Sequence, residues 1–370
     1  MEWTNERIAH LAFLQTPKIG SGRIRALKTA FGSLHEAWKS STEGWHTAGI
    51  PSDACRALKE VRERFDASTS IAQLEQEQIF LLLREDPSYP ALLHQTSDQP
   101  EALFARGNIR ALPWIALVGS RHMTSYGERC IQEIVPELVH AGCGIVSGLA
   151  LGVDGAVHRA ALAANGYTVA FLGGGINNKS IYPRSHLDLA HKILDAGGAL
   201  LSEFAPGTES LSFHFPLRNR LIAGSSLATV VIEATIDSGS LITAKSALEE
   251  NREVFALPGP IWNATSAGCH RLIQSGAQLC TKTDDILQLL ALDRPHVIEK
   301  TQAKLPLDAF ERRILEVLNE PRSIDHLARL LEEPTGKLSA ALSLLELKGL
   351  VSFLEGQGWL VKNQKPSPIR

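Results

Sequence analysis

Between Trp114 and Pro258 the chain repeats one pattern: a short apolar run that stops abruptly at Gly, Ser or an acid, followed by helically spaced apolar residues. The runs are Trp114 to Val118, Ile145-Val146, Thr168 to Leu172, Leu200-Leu201 and Ala228 to Ile232. Apolar runs this short and this continuous read as parallel strands covered on both faces. Alternating with helices, they predict an α/β fold with a doubly wound parallel sheet, whose ligand crevice lies outside the carboxyl ends of the strands.

The loops after those strands are where chemistry is expected. Gly119-Ser120-Arg121 follows the first run, with a helix beginning near Ser125-Tyr126-Gly127. Free N–H groups and a guanidinium there favour an anion, the alternative for Arg121 being a structural ion pair. Ser147-Gly148 opens the second loop; Asp154 reads as an N-cap and His158 as a packing or hydrogen-bonding histidine. Gly173-Gly174-Gly175 requires either a sharp turn or a close approach. It is not a Walker loop, and no GxGxxG opens the first helix, which argues against an ATPase or a dehydrogenase. Phe213 to Arg220 sets two guanidiniums and the Asn219 amide beside Phe213 and Phe215, the pairing that single-stranded nucleic acid requires. Ser238-Gly239-Ser240 starts another helix with an anion-suited end. Glu233 is open to two readings, a hydrolase acid or a carboxylate that fixes its loop.

A net charge of -3 restricts any nucleic-acid surface to a local cationic patch. Cys55, Cys130, Cys143, Cys269 and Cys280 show no CxxC spacing, which suggests no metal site and fits reduced thiols. No apolar run approaches the ~20 residues of a membrane span, so a soluble, cytoplasmic protein is expected.

On either side of the central stretch the pattern changes. Apolar series at Ile8 to Leu14 and Ile24 to Phe31 flank Gly20-Ser21-Gly22, a helix, hairpin, helix. Short helices at Leu34 to Trp38, Ser52 to Phe65 and Ile71 to Gln76 complete a small helical domain, with a strand at Ile79 to Leu83 beyond it. Gly20 to Arg23 is either a contact for a DNA backbone or a plain connector. From Asp86 to Pro100 the prolines exclude a helix. Residues 292–306 read as a linker, and three helices with a hairpin beyond it as a winged helix. Its third helix and lead-in offer Lys337 and Lys348 against Glu332, Glu333 and Glu346, too little to read duplex sequence. The expected division is 1–78, 79–291, 292–306 and 307–363.

Taken in order, Ala116 to Arg121, Ser147 to Ala150 with Gly152-Val153-Asp154, Tyr182-Pro183, Phe215 to Arg220, Ser238 to Leu241 with Thr243-Ala244, and Val254 to Gly259 resemble the DNA-processing protein A (DprA/Smf) family. The resemblance implies an extended Rossmann-like domain with a helix-hairpin-helix or SAM-like domain before it and the winged helix after it. It implies a non-catalytic, cofactor-free recombination mediator that binds single-stranded DNA, protects it, and loads RecA during natural transformation. Its partners would be DNA, RecA, single-strand-binding protein and a second copy of itself. The DNA-binding residues it implies are Gly119, Ser120, Arg121, Ser147, Gly148, Phe215, Arg218, Asn219, Arg220, Ser238, Gly239 and Ser240, with Lys179 by position. The dimer interface would fall on Gly268 to Leu279, through His270, Leu272, Ile273 and Leu279. The loop from Gly173 to Tyr182 is longer than the family pattern, and Cys269-His270 departs from it. The rival reading is a nucleotide phosphoribohydrolase of the lysine-decarboxylase-like type, but the loop holding Glu233 lacks that group's Pro-Gly-Gly-x-Gly-Thr.

Overall fold

The structure, a computed structural model, describes residues 2–292, 308–318, 321–347, 350–354 and 358–361. The chain divides into two compact units, Met1–Pro295 and His296–Arg370. The expected linker at 292–306 lies, apart from its first residue, outside the described residues, as does Lys348.

A sheet of nine strands runs through the first unit: β1 Ile79–Leu83, β2 Ala102–Gly107, β3 Trp114–Val118, β4 Gly144–Ser147, β5 Thr168–Phe171, β6 Ala199–Ser202, β7 Ala228–Val231, β8 Glu253–Ala256 and β9 Gln278–Leu279. Their order is β1-β2-β6-β5-β4-β3-β7-β8-β9. From β6 to β9 all neighbours are parallel, as the apolar runs predict. Strands β1 and β2 add to the β6 edge antiparallel. Nothing in the sequence pattern marks β2, because it follows a proline-rich stretch and becomes a strand by pairing with β1 on one side and β6 on the other. The progression reverses at β3, so the switch point lies between β3 and β7.

Helices cover both faces. On one, Ile131, Val135 and Leu138 of the helix Ser125–His140 pack with Val157 of the helix Val153–Ala163 against Ile115, Leu117 and Ile145. On the other, Leu221 and Ile222 of the helix His214–Gly224 and Ala244 and Ala247 of Gly239–Glu249 meet Ala116, Val118 and Val231. Phe104, Phe171 and Phe255 are fully buried within the sheet, each worth about 1.5–3 kcal/mol against exposure.

The N-terminal helices run Asn5–Leu14, Ser21–Phe31, Leu34–Lys39, Thr42–Thr47, Ser52–Arg64 and Ala67–Gln76. Ser33 caps the third by accepting from the Glu36 N–H. The fourth, unmarked by periodicity at six residues, is held by fully buried Trp45, whose Nε1 donates to the Ala37 carbonyl at 2.6 Å. Leu11 and Leu74 from these helices share a core with Leu81, Phe104 and Leu200 of the sheet. Apolar continuity therefore makes the helices and the sheet one body.

The second unit has helices Ala309–Val317, Ile324–Leu331 and Thr335–Leu347 and an antiparallel hairpin, Val351–Leu354 with Gly358–Val361. Its core is built from Ile314, Leu327, Leu331, Leu338, Leu342 and Val351. Lys337 pairs with Glu333 at 3.0 Å and lies over the Phe310 ring. Among the described residues no helix is long and apolar enough to cross a membrane.

Candidate nucleic-acid interface

The crevice at the carboxyl ends of the strands is assembled around one aromatic ring. Phe215, in the first turn of the helix His214–Gly224, packs against the backbone of Gly173 so closely that a Cβ there would meet its ring carbon at 2.9 Å. The triple glycine thus serves close approach, not a left-handed turn: Gly174 and Gly175 are crowded by the 205–210 segment, and none of the three has positive φ. Over Phe215 lies the Arg121 guanidinium, 5.0 Å from the ring centroid, while Arg218 stands at 5.8 Å. Tyr182 completes the aromatic floor with its ring 6.2 Å away. In the sequence Tyr182 stands out only as half of the Tyr182-Pro183 pair, and nothing local places its ring beside Phe215.

The two arginines play different parts. Arg121 is exposed and has no carboxylate partner among the described residues, so the ion-pair alternative is not what the structure contains. Arg218 is only 4% exposed. Its Nη1 donates to the Phe171 carbonyl at 2.5 Å and to the Gly148 carbonyl, and its Nε to Asn219 Oδ1 at 3.1 Å. Burial pulls its pKa down to about 10, against the opposing pull of the Asp154 carboxylate. Asn219 passes the link on, donating to the Gly239 carbonyl at 3.3 Å. Gly148, Phe215, Arg218, Asn219 and Gly239 therefore form one connected wall, with Arg121 at its lip.

Other expected residues stand elsewhere or act differently. Arg220 faces away from this crevice. Phe215, Arg218 and Asn219 share a helical face by their spacing, and Arg220 does not. It donates to the Asp98 carbonyl at 2.6 Å and forms a close ion pair with Glu203. Lys179 is exposed, and no described contact joins it to the wall; its neighbour Asn178 is turned to Glu77, Arg106 and His191. The Ser147 hydroxyl is buried and donates to the Leu117 carbonyl, and Ser120 Oγ accepts from the His122 N–H. Asp154 is not the N-cap of its helix; Gly152 is, with φ +73. One position inside the helix, Asp154 is buried and accepts from the Ala150 N–H, so it closes the 148–152 loop instead. Ser238 does cap its helix, accepting from the Ser240 N–H.

Glu233 is 2% exposed and fully engaged: it accepts from the Thr124 N–H at 2.8 Å, the Thr124 hydroxyl at 2.7 Å and the Thr265 hydroxyl at 3.0 Å. Of its two readings, loop fixing is what the geometry contains. Thr124 in turn caps the helix Ser125–His140. His158 is wholly buried and hydrogen-bonded to Thr168, as expected of a packing histidine. In the segment expected to form a dimer, His270 is bonded to the Gly259 backbone, Leu272 and Ile273 are half-buried, and Leu279 on edge strand β9 is half-exposed.

Comparison with known proteins accords with this architecture. The family described as DNA recombination-mediator protein A matches residues 80–291, and the DprA winged helix domain matches 299–357. Protein Smf of Escherichia coli (strain K12) is 40% identical over 305 residues, covering 79% of this chain and 80% of Smf. The X-ray structure of DNA processing protein A from Streptococcus pneumoniae superposes with a TM-score of 0.65 at 34% identity, covering 78% of this chain and 98% of that one. DNA processing protein A from Helicobacter pylori, whose structure is described for its single-stranded DNA binding mode, matches with a TM-score of 0.52 at 27% identity, over 58% of this chain and 96% of that one. With family models matching 80–291 and 299–357 and a relative 40% identical over four-fifths of its length, the chain belongs to the DNA recombination-mediator protein A (DprA/Smf) family.

Proposed function

We propose that this protein binds single-stranded DNA along the crevice, without cutting it, and acts as a recombination mediator that protects incoming strands and loads RecA. The observation that carries the reading is the exposed Arg121 guanidinium over Phe215, without a carboxylate partner among the described residues. An unstacked base and its phosphate find a π-face and a cation within one nucleotide's reach there. In this reading Arg218 acts from beneath: buried and held by carbonyls, it orients Phe215 and lends its charge to the floor. Arg220 acts through the ion pair that fixes its helix, and Lys179 belongs to an outer approach of the strand. The Gly119, Ser120, Ser147 and Ser238 to Ser240 backbones shape the rim.

The engagement of Glu233 by Thr124 and Thr265 supports a non-catalytic role over phosphoribohydrolase chemistry, which needs an acid free to meet substrate. A homodimer through His270, Leu272, Ile273 and Leu279 belongs to the same proposal, as does handover of DNA from single-strand-binding protein to RecA.

The test is a titration of labelled oligothymidylates with the parent chain and Arg121→Glu across salt. Log affinity of the parent should fall with log salt at about -0.7 per neutralised phosphate. Arg121→Glu, at an exposed position, should keep the parent melting temperature and lose about tenfold or more in affinity. Equal affinities for the two proteins would refute the reading.

A further inference from the structure

A second groove lies on the opposite side of the helix His214–Gly224 from Arg121. It is a cleft of about 780 Å³ between the Leu14 to Arg23 hairpin and the segment from Glu203 to Arg220. A volume of that order accommodates more than one nucleotide-sized group. One lip is apolar and unusually exposed: Phe213 is 61% exposed, Leu217 47% and Leu211 42%. The other lip is cationic. Lys18 is 57% exposed in a surface pair with Asp53, and Arg23 sits at the start of the helix Ser21–Phe31. That helix has glycine at its N-cap and no side-chain cap.

The acids in the cleft do not cancel this lip. Glu203 is bonded to Arg220 and to Ser21, and Asp98 to Arg25 and Arg220. The same bonds fix the hairpin against the helix, so the cleft has a rigid floor. Phe213 is two residues from Phe215, and the start of the helix separates the two rings: Phe215 faces Arg121, whereas Phe213 lies edge-on to His214, itself stacked on Phe204.

We infer that a single DNA strand held at the Arg121–Phe215 wall continues over the start of this helix into the hairpin cleft, where a base stacks on Phe213 and a phosphate meets Arg23. This extension rests on the proposed function and adds a second subsite to it. Its occupant is single-stranded because the stacking face must receive an unpaired base. The opposition of a cationic to an aromatic lip selects a polynucleotide over an apolar peptide.

The experiment uses the full chain and two oligothymidylates, one of about six nucleotides to fill the first groove and one of about twenty to reach the second. Phe213→Ala should weaken binding of the longer strand about tenfold and leave the shorter one unchanged, because one stacked base is lost. Arg23→Gln should lower the salt slope for the longer strand by about 0.7, and Phe213→Tyr should restore its affinity. Matching melting temperatures exclude misfolding, which the exposure of Phe213 already makes a small risk. If the parent binds both lengths and the variants match it on the longer, the extension is overturned and the first groove stands. If the parent binds neither, both fall.

Discussion

Gly148→Ala is the substitution that most directly probes how the wall is held. A Cβ at this position would stand 2.5 Å from the Arg218 Cζ and closer still to Nη1. A flexible side chain would swing aside, but this guanidinium is 4% exposed and fixed by the Gly148 and Phe171 carbonyls. Expelling it breaks three hydrogen bonds from a charged donor, worth about 1.5–3 kcal/mol each, and takes the donor away from the Gly148 and Phe171 carbonyls and Asn219 Oδ1. Part is recovered if the guanidinium reaches the open crevice, so the expected cost is about 3 kcal/mol. For a unit of this size that lowers the melting temperature by roughly 5 °C. Calorimetry on the parent, Gly148→Ala, Arg218→Met and the double variant would read it. If the clash is the cause, the second substitution should cost about 2 kcal/mol less in the Arg218→Met background. A Gly148→Ala protein melting within about 1 °C of the parent, or purely additive costs, would show that Arg218 is not pinned as described.

Other outcomes follow from the same geometry. Glu233→Gln replaces an acceptor that three donors share with a group that must itself donate, so stability should fall by about 1–3 kcal/mol with no nucleotide hydrolysis in either protein; base released from a nucleoside monophosphate by the parent alone would reverse the reading of Glu233. Burial drives the His158 pKa down from 6.5 to about 3, with the charges of His186, Arg159 and Arg218 adding to the effect. Thr168 donates its hydroxyl to the Ile145 carbonyl and so accepts from His158 Nδ1, which leaves Nε2 bare. Below pH 6.5 the unfolded chain takes up a proton there and the folded chain does not until about pH 3, so stability is lost as the pH falls through that window. At pH 5 the loss is about 2 kcal/mol, and denaturant titrations of the parent and His158→Gln should differ by about that amount in the stability lost between neutral pH and pH 5; equal losses would refute it. Burial pushes the Cys269 and Cys280 thiols up to about 12 and Cys143 up to about 11, whereas Cys130 is partly exposed. Iodoacetamide near neutral pH should therefore alkylate Cys130 first, and mass spectrometry finding Cys269 modified at the same rate would overturn that ranking.

Much of this molecule was written in local pattern. The apolar runs at 114–118, 168–171 and 228–231 are too short and too continuous to be anything but covered parallel strands, and the small residues after them mark the crevice edge wherever the helices pack. Ser33 and Ser238 announce their helices because a cap is a contact between near neighbours in the chain. Strand β2 was not legible, because one of its partners, β6, lies about a hundred residues away and the other, β1, is reached only across the proline-rich stretch.

The roles of the arginines show the division most clearly. From the sequence, Arg218 and Arg220 are two equal cations beside aromatic rings, and Arg121 is one more after a Gly-Ser. Helical phase alone separates Arg218 from Arg220, but which face meets the crevice depends on Asp98 and Glu203, brought up from the loop before β2 and the end of β6. Only packing distinguishes the buried guanidinium from the exposed one, because burial is a property of everything that surrounds a side chain and not of its neighbours in the chain. Residue type therefore determined that cations and rings gather at this edge, and the tertiary structure decided which of them hold the wall and which one is left free to meet a ligand.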